Sequence, residues 1–217
     1  MADRYRYQEG DATLLPFQAE SFELVTCQTL LIHLRDPRSA LREMVRVLRP
    51  GGILLAAEPN NFANRSVATS LTEKLSLDEV MARLRFGLTV ERGKQALGLG
   101  FNSVGDLVPG YLAEMDLQQI DVFISDKAVP FFPPYSSTEQ RVNIQQMREW
   151  VARGFVGWDR DELLMYFLAG GGKKEQFDQD WKALDQDARD ALQSIEEGTY
   201  HSAGGCLTYL ISAKKPG

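Results

Sequence analysis

Dense apolar runs alternate along this chain with stretches of helical spacing, and the alternation predicts the order of its elements. Tyr5 to Glu9 alternates polar and aromatic residues, a short strand signal that stops at Gly10. Phe22 to Cys27 is nearly continuously apolar, broken by Glu23 and Thr26, as expected of a central parallel strand covered on both faces. Asp36-Pro37 opens a helix: Asp accepts from the free amides of the first turn, and Pro at the first helical position forfeits no intrahelical bond. Leu41, Met44, Val45 and Leu48 follow as one apolar stripe, and Pro50-Gly51-Gly52 ends the helix. Ile53 to Ala57 is then a second buried strand, stopped by Glu58-Pro59. The result is one right-handed strand-helix-strand unit. It puts Cys27-Gln28-Thr29 and Ala57-Glu58-Pro59 on the sheet edge where ligands of open α/β folds sit.

Beyond Asn60 the spacing becomes helical. Leu71, Leu75, Val80, Met81 and Leu84 mark two helical pieces over 60–101, with Gly87, Gly93, Gly98 and Gly100 as breakers. Ser103 to Met115 reads as a further helix kinked by Pro109, and Leu117 to Ser125 as a strand. Ser136 with Glu139, and Asp159 with Glu162, have capping-box spacing and predict helices starting near Thr138 and Arg160. The first would bury Val142, Met147, Trp150 and Val151; the second, Leu163, Leu164, Tyr166, Phe167 and Leu168. Gly170-Gly171-Gly172 separates them from an acidic helical stretch, so 136–197 reads as a helical cap inserted before a last strand, Cys206 to Ala213.

Charge changes the picture mainly by exclusion. A net charge of −6 argues against a nucleic-acid or anionic-membrane surface. Arg38, Arg42, Arg46 and Arg49 lie on one helix and read as a solvated face. No stretch approaches the roughly 18 apolar residues of a membrane span, and the polar start has no signal-peptide core, which points to a cytoplasmic protein. Cys27 and Cys206 are far apart in apolar runs and read as buried free thiols, and His33 and His201 lack partners at metal-ligand spacing.

Several blocks occur in fixed order between Gly10 and Pro59. They are Gly10-Asp11-Ala12, Leu15-Pro16-Phe17, Ser21 to Val25, Leu31-Ile32-His33, Asp36-Pro37, Leu41 to Met44, Arg46 to Gly52 and Glu58-Pro59. Together they resemble the second half of a class I S-adenosylmethionine-dependent methyltransferase, in the small-molecule branch that includes the ubiquinone and menaquinone methyltransferases. The resemblance implies an α/β fold: a partial Rossmann-like methyltransferase sheet with helical insertions and an antiparallel C-terminal strand. It implies a single methyltransferase-like domain over 1–217, S-adenosylmethionine as cofactor, and methyl transfer to a small organic acceptor.

By the same resemblance Gly10, Asp11 and Ala12 hold the adenine. The Asp11 carboxylate accepts from the exocyclic amine and the Ala12 amide faces a ring nitrogen. Gln28 and Thr29 fall where the family touches the methionine end. Read alone, Asp11 is a turn-forming residue, and only the context of the resemblance makes it an adenine ligand. His33 is the catalytic candidate, as a base facing the acceptor, or else a packed core histidine. Glu58 either reaches the site or ends its strand in solvent. Tyr111, Phe131, Phe132, Tyr135, Trp150 and Trp158 form either an aromatic acceptor wall or ordinary core.

The family's Gly-x-Gly-x-Gly loop and ribose-binding acid do not precede Gly10 in this sequence, and Gly170 to Gly172 follows a helix rather than a strand. The expectation is an amino-terminally truncated methyltransferase, part of a longer enzyme. The alternatives are a sheet edge closed by a homodimer or complementing chain, and a catalytically inactive binding or partner subunit.

Overall fold

In the computed structural model, residues 5–64, 68–125, 128, 130–155, 157–204 and 207–217 are described. Strand β1 (Phe22–Gln28) leads through a 3-10 turn (Leu31–His33) into helix α1 (Pro37–Val47), which returns the chain to strand β2 (Leu48–Pro59). Asp36 caps α1, its carboxylate accepting from the Arg38 and Ser39 amides, as the Asp-Pro signal predicts. The chain continues through the short helix α2 (Asn61–Asn64), the long helix α3 (Leu77–Ala96), helix α4 (Val108–Glu114) and strand β3 (Gln118–Ile124). Helices α5 (Thr138–Ala152), α6 (Arg160–Ala169) and α7 (Lys174–Glu196) precede the last strand, β4 (Thr208–Lys214).

The sheet order is β1-β2-β4-β3. β1 and β2 are parallel, with Gln28 beside Ala57. β4 is antiparallel to both of its neighbours, β2 and β3, so the antiparallel closing strand is present. Two compact units emerge. One comprises Met1–Pro59, Ser103–Ser125 and Thr208–Gly217 and holds the sheet; the other comprises Asn60–Asn102 and Asp126–Leu207 and holds α2, α3, α5, α6 and α7.

In the sheet unit, Leu54, Ala56, Ile211 and Ala213 point to a covered face, against which Leu41, Met44 and Val47 of α1 and Val108 and Leu112 of α4 are also buried. The other face is open. Leu24, Ile53, Leu55, Phe123 and Leu210 lie on it, each at least 41% exposed. Among the described residues β1 pairs only with β2, so it is an edge strand rather than the expected central one. An apolar run predicts a strand, but its position depends on which strands stand beside it.

Other expectations change similarly. Tyr5 to Glu9 forms no strand: no described strand offers it a ladder, and Tyr5 and Tyr7 are exposed. Val47, not Val45, completes the buried stripe of α1. Pro50-Gly51-Gly52 lies within β2 instead of after the helix; Gly51 takes a positive φ of 75° and donates to the Lys215 carbonyl. Pro109 sits in the first turn of α4, where it needs no hydrogen bond, and so introduces no kink. Cys27 is a buried free thiol; Cys206 lies outside the described residues.

In the helical unit Ser76 and Glu79 form a full capping box at the start of α3. The box of α5 is Ser137 with Gln140, one residue later than expected, and α5 buries Ile144 and Gln140 while Val142 is exposed. Asp159 caps α6 through the Asp161 and Glu162 amides, and Leu163, Tyr166 and Phe167 are buried while Leu168 is exposed. Phe86, Val90, Leu163, Tyr166, Phe167 and Phe177 make the main cluster between α3, α6 and α7. Gly87 and Gly93 lie inside α3 and do not break it. A Cβ on Gly93 would stand 1.6 Å from the Tyr166 carbonyl oxygen, so glycine there permits α3 and α6 to touch backbone to backbone.

Candidate functional site

The carboxyl ends of β1 and β2 form the edge singled out by the sequence. Gln28 ends β1 and is exposed. Thr29 follows at a positive φ of 50°, a conformation costly for a β-branched residue, and its amide donates to the Ala57 carbonyl at 2.9 Å. The parallel pairing thus continues one residue past the strand, fixing where Gln28 and Thr29 lie.

Glu58 organises the turn beyond. Its side chain is wholly buried at the end of β2, and Oε1 accepts from the Leu30 and Leu31 amides at 3.0 Å each, while buried Oε2 has no hydrogen-bond partner among the described residues. Burial raises its pKa, and the amides of Leu31, Leu30 and Ile32 pull the other way. The expectation that Glu58 ends its strand in solvent is overturned: the side chain is buried and faces the backbone of the 3-10 turn. The Cys27 thiol lies 3.9 Å from Oε1; burial and then the neighbouring carboxylate push it up to about 12, which makes it inert as a nucleophile.

His33 stands at the end of that turn, exposed, and its ring makes no hydrogen bond to a described residue. The packed-core expectation is therefore overturned, because the 3-10 turn directs Leu31 and Ile32 inward and leaves His33 outside. Solvent access is compatible with a base, and it is equally the ordinary state of a surface histidine.

The loop before β1 carries the adenine candidates. Asp11 Oδ1 accepts from the Thr13 amide at 2.8 Å and the Thr13 hydroxyl at 2.7 Å, the turn its residue type predicts. These two bonds, the amide first, hold its carboxyl below the usual range. Oδ2 makes no hydrogen bond to a described residue. Gly10 and Ala12 flank it, and a Cβ on Gly10 would stand 3.3 Å from the Pro16 ring. No hydrogen bond joins Gly10, Asp11 or Ala12 to Gln28 or Thr29 among the described residues.

Sequence reading missed the tether of this loop. Glu43 accepts from the Leu15 amide at 2.8 Å and from Arg46 Nε at 2.7 Å, while Arg46 donates to the carbonyls of Phe17 at 2.9 Å and Leu15 at 3.1 Å. Arg49 likewise donates to the Glu20 carbonyl, and Arg38 pairs with Glu114 while lying over the Tyr111 ring. Three of the four arginines read as a solvated face are therefore clamps on neighbouring segments. Their spacing could not reveal this, since the partners are backbone carbonyls and side chains far along the chain.

Within the helical unit the described aromatic candidates have different surroundings. Phe131 packs with Tyr135 and Tyr200, Trp150 lies edge-on to Phe155, and Phe132 is exposed. Trp158 lines a separate cavity in the helical unit. Among the described residues there is no group of three metal-ligating side chains, and no helix is long and apolar enough to cross a membrane.

Residues 2–56 match the family described as the methyltransferase domain. The chain is 47% identical over 66 residues to demethylmenaquinone methyltransferase of Mycobacterium sp. (strain KMS), a stretch covering 30% of this chain and 29% of that protein. It is 46% identical over 66 residues to the protein of the same name from Mycobacterium tuberculosis, covering 30% and 28%. The match thus spans less than a third of the length of these curated relatives. A solved structure of the YcgJ protein from Bacillus subtilis is similar over 98% of this chain and 71% of that one, at 19% identity and a TM-score of 0.45. Residues 2–56 are thus similar to a methyltransferase domain, over about a quarter of this chain.

Proposed function

We propose that this chain takes part in S-adenosylmethionine-dependent methyl transfer to a small organic acceptor, in the cytoplasm, with Gly10 to Pro59 as two edges of the cofactor site. One observation carries the proposal. Gln28 and Thr29 are held at the carboxyl end of β1 by the Thr29–Ala57 hydrogen bond, beside a turn pinned by Glu58.

The residues fit the cofactor. Asp11 is ionised at neutral pH, and its Oδ2 is a spare acceptor suited to an exocyclic amine. Ala12 would present its amide to a ring nitrogen, and Gln28 and Thr29 would hold the methionine end. Bound S-adenosylmethionine supplies an activated methyl group, so the protein's task is alignment and exclusion of water rather than nucleophilic attack. Exposed His33 would take the proton of a hydroxyl acceptor on its ring nitrogen.

Isothermal titration with S-adenosylhomocysteine tests the reading. Saturable heat is expected, weakened roughly tenfold by Asp11→Ala, the size of one lost charge-assisted hydrogen bond. No heat at millimolar ligand with folded protein would overturn binding by this chain alone.

A second reading has its own support: the open sheet face bearing Leu24, Ile53, Leu55, Phe123 and Leu210, with β1 at an edge. In that reading a second polypeptide covers the open face and pairs with β1. Sedimentation equilibrium then shows a complex, and cofactor binding appears only in it.

A further inference from the structure

The helical unit contains a cavity of about 250 Å³ between α3, α6 and α7, lined by residues outside the family match of 2–56. Its apolar walls include Phe86 and Val90 from one face of α3 and Leu163 from α6, and Trp158 stands in its wall, 45% exposed. Three polar side chains also line it: Arg83, Asn102 and Tyr166. The shape and lining are those of a small-molecule site, with apolar surface and a few fixed polar groups.

The polar groups are held by the protein itself. The Asn102 amide is used in both directions: Oδ1 accepts from Lys94, and Nδ2 donates to Glu91 at 3.1 Å. The Tyr166 hydroxyl donates to Glu162. Arg83 is different. Nε and Nη2 donate to Asp187 at 2.7 and 2.6 Å, and Nη1 donates to the Glu79 carbonyl at 3.0 Å. A guanidinium has five N–H donors, so a rigidly positioned Arg83 keeps two for a guest. Asp187 already balances its charge, which favours a neutral hydrogen-bond acceptor over a second carboxylate.

Volume sets the size of the guest. A dry cavity of roughly 150 Å³ binds benzene, so this space suits a molecule of roughly ten heavy atoms by proportion. Trp158 and Phe86 offer aromatic surface for a flat ring. We infer that the cavity between α3, α6 and α7 is a binding site for a flat, neutral aromatic compound of one ring or a small fused pair, bearing a carbonyl-type acceptor directed to Arg83.

The inference concerns the helical unit alone and is tested without S-adenosylmethionine, so it stands or falls separately from the proposed methyl transfer. The probe is trans-cinnamamide, titrated calorimetrically into the full chain. One saturable site is expected, at least tenfold tighter than for cinnamylammonium, which has the same skeleton but replaces the acceptor with a cation. Arg83→Met is expected to weaken cinnamamide about fivefold, and Leu163→Trp, which fills the cavity, to abolish binding with helicity retained. Should Leu163→Trp fail to fold, Trp158 provides the second readout: cinnamamide is expected to change the emission of the parent chain and not that of Trp158→Phe. Absence of saturable binding, equal affinity for the amide and the ammonium, or an emission change that survives Trp158→Phe would overturn the assignment.

Discussion

Glu58 Oε1 lies 3.0 Å from the amide nitrogen of Leu31, and both residues are wholly buried. A side chain from the end of one strand thus supplies the hydrogen bond that a turn after the other strand would otherwise lack. Removing the carboxylate leaves the Leu30 and Leu31 amides without this acceptor. Glu58→Ala is expected to cost about 3 kcal/mol, the penalty for stranding buried donors, measured by urea unfolding.

The same carboxylate makes stability depend on pH. Burial raises the pKa of Glu58 above its ordinary value of 4.5, so the folded chain keeps this proton to higher pH than the unfolded one. Its contribution is therefore full below 4.5 and is lost as pH rises through the folded value. Glu58→Gln retains an acceptor and carries no charge. Across a series of urea midpoints, the variant is expected to gain on the parent as pH rises from acid to neutral.

Cys27, pushed up to about 12 by burial, is expected to resist iodoacetamide at pH 8 in the folded chain and to react on unfolding. Peptide mapping by mass spectrometry distinguishes it from Cys206. Rapid folded-state labelling of Cys27 would contradict its burial.

The tether of the adenine loop predicts a local effect. Glu43→Ala removes the acceptor of the Leu15 amide and one partner of Arg46. Hydrogen exchange at Leu15 is expected to accelerate, while exchange in the interior of β2 stays as in the parent.

Two glycine substitutions should act in opposite directions. Gly93→Ala places a Cβ against the Tyr166 backbone and is expected to destabilise by about 3 kcal/mol or to block folding, since backbone cannot move aside cheaply. Gly110→Ala, in α4 with open space around its Cβ position, is expected to stabilise by about 0.5–1 kcal/mol through lower unfolded-chain entropy. Thermal unfolding of the pair checks both.

Some of this was legible locally. Asp36-Pro37 contains both halves of its own signal, acceptor and imino ring, within two residues, and α1 begins there. The start of α5 was harder because Ser136 and Ser137 each have a suitable partner three residues on; the box forms at Ser137 with Gln140, whose buried amide also donates to the Pro130 carbonyl, ten residues back. At Gly93 the same residue type that reads as a breaker is what a close helix crossing requires, and nothing near it in the chain announces α6. The turn chemistry of Asp11 was legible, because Thr13 is two residues away. The Glu43–Arg46 clamp on Leu15 and Phe17 was not, because it closes over roughly a helix and a strand of intervening chain.

The sequence by itself determined the strand-helix-strand order of residues 22–59, the cap of α1, the approximate starts of α5 and α6, and the resemblance of residues 2–56 to a methyltransferase domain. Hydrogen-bonding and apolar periodicity within a few residues suffice for these. The tertiary structure decided that β1 pairs only with β2 among the described residues, that Glu58 is a buried anchor, that His33 is exposed, and that α3, α6 and α7 line a cavity open to solvent. Each depends on which surfaces meet, and burial and desolvation arise only from contacts between segments distant along the chain.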